Sequence, residues 1–183
     1  GSIGDFSIKV STSELFGKLK DLSEGISLRI KIGNFQIEKR LFEGAVTYHD
    51  YPLVEYSYEL LLGSDIIGTG SVETFQHQAI YTIAPDVKEL KVTALSLDNR
   101  PLGGKLILML SDGGKIGEID IPENSTIIRG LLRLKYNYRF YYMNIQVAEG
   151  VLEKESIDKS KFDISASVSD VKITALDYAA ENK

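Results

Sequence analysis

Two histidines carry most of the acid–base potential of this 183-residue chain. His49 stands beside Asp50 in TYHDYP, and His77 sits in FQHQ. To act as general bases or metal ligands they need to converge with a third group. The chain has no cysteine, which removes thiolate nucleophiles, thiolate metal sites and disulfides from the menu. The glycine pairs in LGGK and DGGK lack the spacing and the following Ser or Thr of a phosphate loop, and read as hairpin turns. Acidic residues are scattered singly along strand-like stretches, giving neither a carboxylate pair nor a calcium loop. The serines alternate within strands without a nucleophile elbow. The expectation is a non-enzyme with no catalytic residue, no metal ligand and no cofactor.

Aromatic residues offer a different chemistry. YHDYPLVEYSY holds Tyr48, Tyr51, Tyr56 and Tyr58, and YNYRFYYMN holds Tyr136, Tyr138, Phe140, Tyr141 and Tyr142. Period two puts Tyr136, Tyr138 and Phe140 on one strand face, with Asn137, Arg139 and Tyr141 on the other. Exposed Tyr with Arg suits a protein or glycan contact surface. Tyr is equally a favoured strand residue that buries its ring and leaves the hydroxyl at the rim. The residues expected to bind, if any do, are Tyr48, His49 and Tyr51, because residues 33–55 alternate weakly and read as an edge or a mobile connection.

Charge narrows the partners. The net charge is −5 with 21 basic and 26 acidic residues, which argues against nucleic acid. Divided at Pro85, the halves carry −4 and −1, so neither is a basic module. No stretch of 18 apolar residues is present, so no membrane span is expected, and an anchor upstream of residue 1 is compatible with the chain. Gly1-Ser2 reads as the remnant of a cleaved tag. Asn124-Ser125-Thr126 is a glycosylation sequon in an expected turn.

These residues are positioned by an all-β framework. STSELFGKLKDLSEG has capping-box spacing at Ser11 and Glu14, with Leu15, Phe16, Leu19 and Leu22 on one helical face. This predicts a helix over residues 12–24, although Gly17 weakens it by about 1 kcal/mol. ISLRIKI then alternates with period two, as do ELKVTALSL, GKLILMLS, STIIRGLLRLKYNY and RFYYMNIQVA. Turn residues separate the strands at Gly63-Ser64-Asp65, Asn99-Arg100-Pro101, Asp112-Gly113-Gly114 and Pro122-Glu123-Asn124. Many short strands with one helix and no βα alternation predict an antiparallel, immunoglobulin-like β-sandwich. It is expected as two units, 3–85 with the N-terminal helix and 86–183, or as one larger sandwich over 3–183. The half after residue 86 looks the richer in core residues.

Two internal echoes stand out. Ile67-Gly68-Thr69 aligns with Ile116-Gly117-Glu118, and LKVTALSLDN at 90–99 echoes VKITALDYAAEN at 171–182. Either strand composition repeats by chance or related sandwich units follow one another, with a third beginning near residue 171.

YSYELLLGSDIIGTGSV at 56–72 and LGGKLILMLSDGGKIGEIDIPENSTIIRGLLRL at 102–134 resemble the water-stress-and-hypersensitive-response (WHy) domain of late-embryogenesis-abundant-like proteins. The likeness covers about a third of the chain and lacks the Asn-Pro near the domain start. It implies an immunoglobulin-like sandwich without catalytic residues, in stress protection or a membrane-tethered role. The expected function is therefore a non-catalytic module of a stress- or envelope-related protein, extracytoplasmic or membrane-anchored. The alternative is a self-assembling surface, pilus or virion subunit, with flat apolar strands such as KLILML pairing between copies.

Overall fold

The computed structural model describes residues 2–169. Fifteen strands make four sheets: β1 (Ile3–Val10), β2 (Ile26–Ile32), β3 (Phe35–Arg40), β4 (Ala45–Pro52), β5 (Glu55–Leu62), β6 (Asp65–Glu73), β7 (Ala79–Ile83), β8 (Lys88–Leu95), β9 (Pro101–Leu102), β10 (Gly104–Leu110), β11 (Lys115–Ile121), β12 (Thr126–Leu131), β13 (Tyr136–Tyr142), β14 (Ile145–Leu152) and β15 (Lys161–Ser165). A 3₁₀ helix spans Gly17–Gly25 and a single α-turn, α1, spans Lys154–Asp158.

Alternation makes each strand one-sided. On β2, Ile26, Leu28 and Ile30 are fully buried while Ser27, Arg29 and Lys31 face outward. Arg29 lies opposite both Glu38 on β3 and Glu59 on β5, and its guanidinium donates to them at 2.9 and 3.1 Å. Sheet β4-β1-β7 faces sheet β3-β2-β5-β6, the Phe6 and Tyr56 rings meeting at 6.0 Å. Sheet β12-β8-β15, with β9 against β8, faces sheet β11-β10-β13-β14, where Tyr138 meets Phe162 at 5.3 Å. All pairings are antiparallel except β1 with β7 and β8 with β15.

The two strand orders are the same. Position by position, β4-β1-β7 becomes β12-β8-β15, and β3-β2-β5-β6 becomes β11-β10-β13-β14. In the β5–β6 and β13–β14 hairpins the match is residue for residue. Tyr56 faces Val72 and Tyr136 faces Leu152; Tyr58 faces Gly70 and Tyr138 faces Gly150. The bulge after Leu60 recurs after Phe140, again eighty residues on. The repeat therefore exists, in a different register from the Ile67-Gly68/Ile116-Gly117 alignment. Those residues fall on β6 and β11, which hold different places in their sandwiches. The echo at 171–182 lies outside the described residues.

Other expectations change. The helix expected over 12–24 is present only from Gly17 on, as the 3₁₀ helix Gly17–Gly25: Gly17 takes φ +53, and the Phe16 N–H is committed to the Gly130 carbonyl at 2.8 Å, so no α-helix starts at residue 12. Ser11 and Glu14 make no capping box, since the Ser11 N–H donates to Ile83. Leu15 and Leu19 are nonetheless buried, with Phe16 and Leu22 packed beside them. STIIRGLLRLKYNY divides into β12 and β13, and RFYYMNIQVA is a hairpin, turning at Met143 and Asn144 with φ +50 and +63. Among the described residues, the half after residue 86 has no richer core. Seventeen apolar side chains are buried on each side of that residue among those described, and all but Leu61 belong to one continuous cluster.

Candidate functional site

The predicted residues lie along β4 and its bulge. Gly4 pairs with Tyr51 and Phe6 with Tyr48, so His49 and Asp50 together oppose Asp5. Asp50 sits at φ +57 and its N–H donates to Asp5 Oδ1 at 2.9 Å. His49 Nδ1 lies 3.6 Å from Asp5 Oδ2, and the Asp5 N–H donates to His77 Nδ1 at 3.0 Å. Both histidines therefore meet at Asp5. The Asp50 amide holds the Asp5 carboxyl below its ordinary value; burial opposes it, and His49 and His77 add to the lowering. These contacts occupy the carboxylate in closing the bulge. His49 keeps 73% of its side chain exposed and is not held against a nucleophile. Among the described residues no group of three or more His, Asp or Glu is placed to hold a metal ion.

Tyr48 is not a surface residue. Its side chain is 0% exposed, stacked on Phe6 at 5.0 Å and edge-on to Tyr51 at 5.0 Å. Alternation on β4 points it inward, so its candidacy as a binding residue is corrected to a core role. Among the described residues its hydroxyl has no hydrogen-bond partner, and burial pushes its pKa far up, with Tyr51 and Tyr56 adding to the shift. Tyr51 is half-buried beside Phe35, and the Lys39 ammonium sits 4.9 Å from the Tyr48 ring and 5.5 Å from that of Tyr51. What remains of the predicted site at the surface is His49 and one edge of Tyr51.

The outward face of β13 is more open. Asn137, Arg139 and Tyr141 do stand opposite the buried Tyr136 and Phe140, as their spacing predicts. Two shallow grooves cross this face. One of about 430 Å³ is lined by Lys105, Ile107, Asp120, Tyr141 and Met143. The other, of about 500 Å³, is lined by Met109, Asn137, Arg139, Glu149 and Val151.

The third feature is the joint between the sandwiches, which sequence reasoning missed. After β1 the chain leaves the first sandwich and lies against the second. A Cβ on Gly117 of β11 would come within 2.7 Å of the Phe16 ring, and one on Gly17 within 2.1 Å of the Ile116 carbonyl. Gly130 sits in the β12 bulge at φ +87, where a Cβ would meet the Glu14 carbonyl at 2.5 Å. Three glycines thus let two backbones close on Phe16. Lys154 of α1 pairs with Asp65 at the start of β6, and Leu22 and Leu62 face Leu110 and Leu134 across a cleft of about 260 Å³. The signal lay in the glycines that interrupt otherwise regular helix and strand patterns.

The fold defines an all-β protein of two sandwiches with one strand order. Among the described residues no helix is long and apolar enough to cross a membrane. No protein-family profile matches the chain, and no curated protein matches it. Similar solved structures include the Streptococcal ancillary pilin, at 8% identity and TM-score 0.46 over 91% of this chain and 68% of that one. The minor pilin GBS52 of Streptococcus agalactiae is 14% identical, with TM-score 0.39 over 94% and 99%. The Bacillus anthracis TIE protein is 16% identical, with TM-score 0.38 over 91% of this chain and 34% of its own, so this chain spans about a third of its length.

Proposed function

We propose that the chain is a non-catalytic structural module, two sandwiches fastened end to end, that spaces or presents other parts of a surface or envelope protein. The observation that supports it best is the joint, where Phe16 enters the gap over Gly117 and its N–H is held by Gly130. Close backbone packing of this kind resists bending and shear between units. Phe16→Ala empties the joint at a cost of about 2–4 kcal/mol, and calorimetry reads the outcome. The native chain should unfold in one transition and the variant in two. Two independent transitions in the native chain, or an unaltered single one in the variant, would count against the reading.

Within this role, the Arg139–Tyr141 face is the proposed contact surface for a protein or glycan partner, and a cell surface or envelope is the proposed setting. Fractionation of the source cells tests the setting; recovery with cytosolic proteins alone would contradict it. The stress-protective role implied by the WHy resemblance is a variant of the same non-catalytic reading, tested by whether the chain preserves a dried enzyme better than serum albumin does.

A further inference from the structure

The joint covers one end of the first sandwich, where β1, β5 and β7 finish and β2 and β6 begin. The corresponding end of the second sandwich is where β8, β13 and β15 finish and β10 and β14 begin. There Leu97, Met143 and Ile145 are 67%, 77% and 66% exposed. Met143 and Ile145 correspond, eighty residues on, to Gly63 and Asp65, and Asp65 is engaged by Lys154 across the joint. The groove lined by Tyr141 and Met143 opens beside them. Large apolar side chains gathered at one end of a sandwich mark a contact surface more than a solvated one.

The linkers carry the same message. After β7 the Asp86 N–H donates to the Ile67 carbonyl at 2.9 Å; after β15 the Ser167 N–H donates to Val147, eighty residues beyond Ile67, also at 2.9 Å. From Asp86 to Ser167 the spacing is eighty-one residues. The same spacing carries Leu90-Lys91-Val92-Thr93-Ala94-Leu95 onto Val171-Lys172-Ile173-Thr174-Ala175-Leu176 in sequence, without a gap. Leu90, Val92 and Ala94 are the fully buried side of β8. Residues 171–176 themselves lie outside the described part of the chain.

We propose that the end face formed by Leu97, Met143 and Ile145 is a docking surface for a further sandwich unit of the same topology, following the second in the same chain. The first sandwich of a second copy is a poorer occupant. Ile37 stands on β3 where β11 has Gly117, since Ile30 and Leu108 pair with them at matching places, and Asp50 stands where β12 has Gly130. The seat that Gly117 opens beside Phe16 is therefore filled by the Ile37 side chain in a first sandwich.

The inference rests on the tandem reading above, whose own failure would appear in the Phe16→Ala calorimetry. The test here uses thiol labelling: the 183 residues hold no cysteine, and any thiol elsewhere in the full protein is subtracted with the unsubstituted protein as blank. Leu97→Cys and Met143→Cys are placed singly in the 183-residue chain and in the protein as encoded in full, with Ile80→Cys on the exposed side of β7 as control. Maleimide should react at 97 and 143 about tenfold more slowly or worse in the full protein, since a covered thiol is reached only through local opening. The control should be unchanged. Equal rates at 97 and 143 in the two forms, or a coding sequence with no further unit after residue 183, would overturn the inference. Protection that instead rises with concentration of the 183-residue chain would identify a second copy as occupant and overturn it too.

Discussion

Tyr56 and Tyr136 stand eighty residues apart, and each donates its hydroxyl hydrogen to the carbonyl four residues before it: Pro52 at 2.7 Å and Leu132 at 2.8 Å. Both rings are fully buried, so both hydroxyls tie the strand to the segment that enters it. The two corners differ in one respect. The Tyr136 oxygen also accepts from the Leu132 N–H at 3.0 Å, whereas proline at 52 has no N–H to give.

The difference sets a ranking. Tyr56→Phe removes one hydrogen bond and should cost about 1 kcal/mol. Tyr136→Phe strands a buried N–H as well as a carbonyl and should cost about 1–3 kcal/mol. Urea titration of both variants checks the order, and equal losses would show that the Leu132 amide finds water.

Tyr48 behaves in the opposite sense. Its buried hydroxyl has no partner among the described residues, so Tyr48→Phe keeps the Phe6 stacking and removes an unpaired polar group. The variant should match or exceed the native stability by up to about 1–2 kcal/mol. Alkaline titration gives a second reading: burial holds the Tyr48 and Tyr136 hydroxyls protonated, so part of the tyrosine absorbance change should appear only on unfolding. A destabilised Tyr48→Phe would mean that the hydroxyl is bonded in solution.

Asp5 predicts an acid dependence. Its folded pKa is lowered below the ordinary 3.8, chiefly by the Asp50 amide and further by His49. A depressed carboxyl contributes stability that is present above pH 3.8 and is lost as pH falls through the lower folded value. Asp5→Asn should flatten the decline of stability below about pH 4 while leaving its course at higher pH parallel to that of the native chain. An unchanged acid slope would show that the bulge is held by the backbone alone.

Gly130→Ala addresses the joint. The new Cβ meets both a left-handed backbone and the Glu14 carbonyl, for a loss of about 2 kcal/mol or more. The control Gly44→Ala shares a positive φ but meets no atom within 4 Å. Its loss should stay near the 1–2 kcal/mol of backbone strain alone. Equal losses at the two positions would remove the joint from the explanation.

The fold class was legible because alternation was strong where burial was one-sided, as in Ile26-Leu28-Ile30 and Leu90-Val92-Ala94. The N-terminal helix misled because Leu15, Phe16, Leu19 and Leu22 do face a core, while backbone contacts with the second sandwich override the local α preference. Strand β1 was missed: IGDFSIKV alternates throughout, with Gly4, Phe6, Ile8 and Val10 turned inward, but two of its inward or flanking positions, Gly4 and Asp5, are poor strand formers, and the bulge that accommodates Asp5 lies on β4. The Met143-Asn144 turn carries no glycine, and its one turn-favouring residue, Asn144, was masked by the strand-forming residues on either side. Among the site residues, TYHDYP reads as an edge or a mobile connection, and only the register of β4 shows Tyr48 pointing inward and His49 outward. The joint depends on contacts between residues about a hundred apart, Phe16 with Gly117 and Gly130, which no local pattern encodes.

The most direct test of the account compares how the two sandwiches align in a weakly ordering medium. Residual dipolar couplings of backbone amides from β1–β7 and from β8–β15 each yield an alignment tensor. A joint closed by Phe16 predicts tensors of the same magnitude and orientation in the native chain, and a smaller tensor for one sandwich in Phe16→Ala. Tensors of clearly different magnitude in the native chain would mean that the sandwiches swing freely, and would contradict a module built to hold its ends in fixed relation.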